Sequence, residues 1–165
     1  MLDRKQRHEL KRKMRNLQET GGTTYLTIED GNAIREFIDI FLELFPEARK
    51  DKAEFMTLQM RIFFRSLAEA LAKIGVVRLG VLDYGKKPVA MVMYFDYKEN
   101  RYLYNSAYDP DYSPMSVGII SKAMCIQDSI QKGKRKFDLL KGNERYKYHL
   151  QGKEIPLYKC QITIR

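Results

Sequence analysis

The sequence predicts a mixed α/β domain: a central mixed sheet flanked by helices, with one extra basic helix at the N-terminus. Three observations carry that prediction. Apolar residues recur at helical spacing from Ile34 to Ile74 and at strand spacing over 76–108. Three successive strand runs are joined only by the tripeptides GKK and KEN, which forces antiparallel hairpins. A full helix then separates the third run from the next strand, so that pair should be parallel, in a right-handed β-α-β unit.

In residues 2–19, Leu10, Met14 and Leu17 form a narrow apolar stripe on an otherwise basic helix that Gly21 and Gly22 end. Residues 23–29 are rich in Thr, Tyr and Ile and predict a strand. Asp30 suits the cap of a second helix, whose set Ile34, Phe37, Ile38, Phe41, Leu42 and Phe45 keeps helical spacing until Pro46 breaks it. A third helix is predicted over 52–74, with Phe55, Leu58, Ile62, Leu67, Leu71 and Ile74 on its apolar face and Gly75 as its stop. The strand runs are 76–84, 88–97 and 101–108. After a turn-rich loop at 109–115, Ser116 should N-cap a helix over 116–133. Residues 136–140 predict the parallel strand, a short helix follows, and 155–164 predict a last strand.

A chain of 165 residues with 44% apolar and 31% charged side chains should fold as one domain rather than stay disordered. The net charge of +9 favours anionic partners: nucleic acid, a phosphorylated cofactor or an acidic membrane surface. No apolar run approaches the ~20 residues of a membrane span, and the N-terminus is charged from residue 3, so a cytoplasmic protein is expected. Cys125 and Cys160 read as reduced core thiols. His8 and His149 are the only histidines, and with two scattered cysteines they make no metal-ligand cluster, so no metal is expected.

The runs AYDPDYSPMSVG (107–118) and FDLLKGNERYK (137–147) together resemble, in order and spacing, the CelD-like subgroup of the GNAT acyltransferase superfamily. That subgroup is related to the Fem-type peptidoglycan aminoacyltransferases. Its Ser-Pro-Gly is Ser116-Val117-Gly118 here, and only Gly118 answers to the wider GNAT pyrophosphate loop. The resemblance implies a GNAT-like fold over 23–165, with 1–22 as an added basic helix. It implies an N-acyltransferase that moves an acetyl or other acyl group from acetyl-CoA or another acyl-CoA to an amine by direct attack. Members of the subgroup are usually longer, which implies a missing N-terminal GNAT-like half or a homodimer as partner. The alternatives are a Fem-like transferase that takes aminoacyl-tRNA and a non-catalytic GNAT-fold module that binds nucleic acid or a partner protein.

A helix opening at Ser116 presents unpaired N–H groups and the positive end of its dipole. Ser116, Val117, Gly118 and Ile119 can hold a pyrophosphate there, and Lys122, one turn on, can reach a phosphate. The same residues equally suit an ordinary capped helix with a solvated lysine. The resemblance places the acyl carbonyl beside the strand that ends at Tyr108, whose N–H would stabilise the oxyanion. Asp109 suits a proton acceptor, and equally an Asx turn into Pro110. Glu144 and Tyr146 match the subgroup's Glu-x-Tyr-Lys, with Glu144 as base or acceptor anchor, Tyr146 as proton donor to the thiolate and Lys147 as an anion contact. A short amphipathic helix with solvated charges accounts for the same residues. Residues 4–15 and 132–147 hold seven Lys or Arg each, and tyrosines interleave with the second cluster, the pattern behind the nucleic-acid alternative.

Overall fold

The strand β3, Lys87–Tyr97, is buried on both faces, and its period of two divides the molecule into two layers. Met91 and Met93 enter one core, while Ala90, Val92 and Tyr94 enter the other. In the computed structural model, which describes residues 3–47 and 50–163, β3 pairs antiparallel with β2 (Val77–Tyr84) and with β4 (Asn100–Tyr108). The strand β1 (Thr23–Ile28) pairs antiparallel with β2, and β5 (Lys136–Asp138) pairs parallel with β4. The order across the sheet is β1-β2-β3-β4-β5. Both predicted hairpins and the predicted parallel crossover are present.

One face is covered by α2 (Gly31–Glu47), α3 (Lys50–Phe55) and α4 (Leu58–Lys73). Ile34, Phe41, Phe45 and Phe64 pack there against Val77, Leu79 and Val81. Each such buried side chain contributes about 1.5–3 kcal/mol. The other face is covered by α1 (Arg4–Gly21) and α5 (Val117–Gln131), whose Leu17, Val117 and Ile120 pack on Leu82 and Ala90.

The predicted helix over 52–74 is two helices. Thr57 interrupts it: its hydroxyl accepts from Met60 N at 3.3 Å and starts α4 afresh. Phe64 then turns inward, within 6.5 Å of the rings of Phe41, Phe45, Phe55 and Tyr104. Leu58 and Ile62, placed on the apolar face by spacing alone, are exposed instead. Pro46 is accommodated in the last turn of α2.

The predicted last strand does not form. Residues 154–163 are exposed and make no ladder, and residue 164 lies outside the described residues. Alternation of apolar side chains suits a strand, but a ladder also requires a partner edge, and none of the described strands pairs with this segment. Cys160 is consequently exposed rather than a core thiol, whereas Cys125 is buried and its thiol is pushed up to about 11, chiefly by that burial.

Arg101 on β4 is fully buried and ties the crossover together. Its Nε and Nη2 donate to Asp96 at 2.8 and 3.0 Å. Its Nη1 donates to Asp128 at 2.6 Å and to Cys125 O at 3.0 Å. Burial alone would raise the Asp96 carboxyl, but the Arg101 bond and charge outweigh it and hold it below its usual range.

Candidate active site

A cleft opens where β4 and β5 part. The two strands pair only over Asn100–Tyr102 and Lys136–Asp138. Beyond them, among the described residues, the outer edge of β4 has no neighbouring strand. The chain after β5 turns away through Leu140 at φ 56° and Gly142 at φ 126°. The space between encloses about 390 Å³, within the range of small-molecule sites.

The β4 wall is shaped by a bulge. Met93 pairs with Asn105 and Tyr94 with Leu103, so Tyr104 is the extra residue. Beyond the bulge, Asp109 N bonds to Val89 O on β3. Alternation therefore turns the amides of Ser106 and Tyr108 toward the cleft. Ser106 N donates to the Asn105 side chain at 3.1 Å, and Ser106 O accepts from the Lys52 ammonium. The short helix α3 carries Lys52 here, with its Nζ 4.3 Å from the Phe45 ring centroid.

The α5 wall begins at Ser116. The predicted side-chain cap is absent: Ser116 is left-handed at φ 61°, and its hydroxyl makes no capping bond. A tight 3-10 helix, Pro110–Met115, runs directly into α5, and the chain reverses at the residue between them. The first turn leaves the amides of Val117 and Gly118 without intrahelical acceptors. Gly118 has a local reason to be glycine, because a Cβ there would lie 3.1 Å from the Tyr108 ring.

The third wall is the segment 139–147. Gly142 suits the turn because its φ of 126° is one that L side chains rarely adopt. Lys147, nearly buried, donates to Leu140 O and Lys141 O at 3.1 and 2.9 Å and pairs with Glu144 at 2.9 Å. It thereby ties the turn and the carboxylate to the short helix α6 (Arg145–His149). Tyr146 projects from α6 into the cleft, and its hydroxyl is pushed up to about 12, first by burial and then by Glu144.

Lys122 lies at the back of this space. Its residue is 6% exposed, its Nζ donates to Gly118 O at 2.8 Å, and the face of the Tyr146 ring is 4.7 Å away. Burial first, and the charge of Lys52 second, pull it down to about 7.

Of the residues singled out in the sequence, Tyr108, Ser116, Gly118, Ile119, Lys122, Glu144 and Tyr146 line this one cleft. The Val117 side chain is in the core, so only its backbone can face a ligand. Asp109 lies outside the lining: it accepts from Lys87 at 2.8 Å and from Asp111 N at 3.0 Å, the predicted Asx turn. Lys52 was not foreseen, because nothing in its local pattern shows that its ammonium reaches Ser106 O on β4. Lys147 was foreseen as an anion contact, and the structure makes it an internal clamp. Among the described residues, no three His, Cys, Asp or Glu are grouped to hold a metal ion, and no helix is long and apolar enough to cross a membrane.

Several solved structures share this architecture. An aminoglycoside acetyltransferase from an uncultured soil metagenomic sample, in complex with sisomicin, is 15% identical at a TM-score of 0.59, over 87% of this chain and 97% of its own. The ribosomal-protein-alanine N-acetyltransferase of Brucella melitensis biovar Abortus 2308 is 10% identical at a TM-score of 0.54, over 87% and 99%. The aminoglycoside N-acetyltransferase AAC(6')-Iy, in complex with CoA, is 9% identical at 0.51, over 86% and 97%. At such identities the likeness is one of fold. No curated protein matches the sequence. The family model described as an acetyltransferase (GNAT) domain matches residues 4–148, nearly the whole described chain, and the protein belongs to that family.

Proposed function

We propose that the cleft between β4 and β5 transfers an acyl group, in the simplest case acetyl, from acyl-CoA to an amine. The observation that carries this reading is the convergence of three elements on one space. These are the edge of β4 beyond its pairing with β5, the first amides of α5, which have no intrahelical acceptors, and the Glu144–Tyr146 wall. The donor fits the residues present. Its pyrophosphate would lie against the start of α5, at Ser116 to Gly118. Its thioester carbonyl would lie along β4 near the amides of Ser106 and Tyr108.

The acceptor amine attacks the thioester carbon directly, and no protein nucleophile is required. Glu144, held by Lys147 at the cleft mouth and 45% exposed, takes the amine proton. Tyr146, which burial keeps protonated, supplies a proton to the departing thiolate. Asp109 is engaged by Lys87 and Asp111 away from the cleft lining, and in this proposal it orders the 3-10 turn before α5. The Glu144-x-Tyr146-Lys147 run supports placement in the CelD-like subgroup, with 23–165 as the acyl-transfer unit.

Acetyl-CoA at 100 times its Kd should add about 2.7 kcal/mol of stability, a rise of roughly 5–10 °C in Tm for a domain of this size. No shift with acetyl-CoA or longer acyl-CoAs, on a folded sample, overturns the assignment.

A further inference from the structure

We propose that Lys122 is a site of self-acylation: it takes the acyl group from a thioester bound in the cleft and keeps it as an amide. The inference rests on the acyl-transfer reading above, and adds to it an acceptor carried by the protein itself.

Lys122 is placed as no surface lysine is. An ammonium has three N–H donors, but among the described residues this one has a single hydrogen-bond acceptor, Gly118 O at 2.8 Å. The Tyr146 ring covers it at 4.7 Å, and its residue is 6% exposed. The groups that bear on it are Lys52 from α3, Cys125 from α5 itself, and Glu144 and Tyr146 from the opposite wall. Burial and the Lys52 charge disfavour the protonated form and pull the amine down to about 7, so near neutrality far more of it is free amine than of an exposed lysine. An ordinary exposed lysine is a free amine about one part in 10³ of the time at that pH. A desolvated amine beside a second cation is the setting in which lysine acts as a nucleophile.

The surroundings also select among the reactions open to that amine. As a proton acceptor it would become a buried ammonium with one acceptor, which the site opposes. As a nucleophile it ends neutral. The Nζ lone pair attacks the thioester carbonyl carbon, a C–N bond forms, and the C–S bond breaks. One N–H proton passes to the departing sulfur, which leaves as the thiol of CoA. The remaining amide N–H can still donate to Gly118 O. The product is a stable amide in the cleft, so the reaction stops after one turnover.

The experiment incubates the purified full chain with acetyl-CoA and no acceptor. Intact and peptide mass spectrometry locate the acetyl groups, and a thiol reagent counts released CoA. Binding is measured separately by thermal shift. The expected result is an acetyl group on Lys122 ahead of the exposed lysines, with thiol release levelling at about one equivalent per chain. Lys122→Met, an apolar replacement of similar length, should lose that equivalent. Acetyl-CoA binding with Lys122 unmodified overturns the proposal and leaves the acyl-transfer reading standing. Acetyl spread evenly over exposed lysines, with none on Lys122, also overturns it. Absence of binding overturns both.

Discussion

Replacing Lys122 by methionine should stabilise the protein at neutral pH, by an amount that shrinks as the pH rises. The folded state holds this amine near 7, while the unfolded chain returns it to 10.5. The sign follows from proton binding. Between those two values the unfolded chain carries a proton that the folded one lacks, so the wild type gains stability as pH rises toward 10.5 and loses it as pH falls toward 7. Below 7 both states are protonated and the penalty is constant, at about 5 kcal/mol. The penalty falls to about 4 kcal/mol at pH 7.5 and about 2 kcal/mol at pH 9. Methionine keeps much of the side-chain volume and removes the titration. Urea unfolding of both proteins at pH 7.5 and 9 measures the difference, and the other titrating groups cancel in it to first order. Lys122→Met should gain about 4 kcal/mol at the lower pH and about 2 kcal/mol less at the higher. Parallel pH profiles would refute the claim that the folded protein buries an uncharged amine here.

Tyr146→Phe should lower kcat by about 10²-fold or more with little change in the KM for acyl-CoA, since the hydroxyl is assigned to the leaving group rather than to binding. Steady-state kinetics of thiol release, once an acceptor is in hand, would show it. Gly142→Ala should cost roughly 1–3 kcal/mol by chemical denaturation, because it strains φ 126° and crowds the Glu144 carboxylate. Arg101→Ala should cost about 3–5 kcal/mol, since it leaves Asp96 and Asp128 with a buried partner removed; a loss under 1 kcal/mol would contradict its assigned place in the crossover. Ser116→Gly should stabilise by about 1 kcal/mol, because glycine tolerates φ 61°, and a thermal melt without ligand is sufficient to see it.

The two hairpins and the parallel crossover were legible because connection length and the helix between β4 and β5 constrain them locally. The cleft was legible in part. Tyr108, Ser116, Gly118, Glu144 and Tyr146 fall on the strand end, the helix start and the segment after β5 that line it. Ser116 was placed correctly and its conformation was not, because capping preferences describe a helix entered from extended chain, and here the entry is a 3-10 turn. The helix over 52–74 read as one element because its spacing hides Thr57, whose cap competes with helix continuation. The segment 155–164 read as a strand because alternation records which side chains could share a face, and nothing about whether another strand's edge is there to receive them.

By itself the sequence determined the mixed sheet, its antiparallel hairpins and the position of the parallel crossover. Each follows from periodicity and connection length, which are properties of neighbouring residues. Only the tertiary structure decided the state of the charges. Lys52, Lys122 and Lys147 look alike in the chain, yet Lys52 meets Ser106 O and the Phe45 ring, Lys147 clamps a turn, and Lys122 is a buried amine behind Tyr146 that burial pulls down to about 7. The physical reason is that a lysine's protonation and reach depend on the dielectric and partners around its terminal nitrogen. Those are assembled from α3, β4, α5 and the segment after β5, none of which knows of the others along the chain.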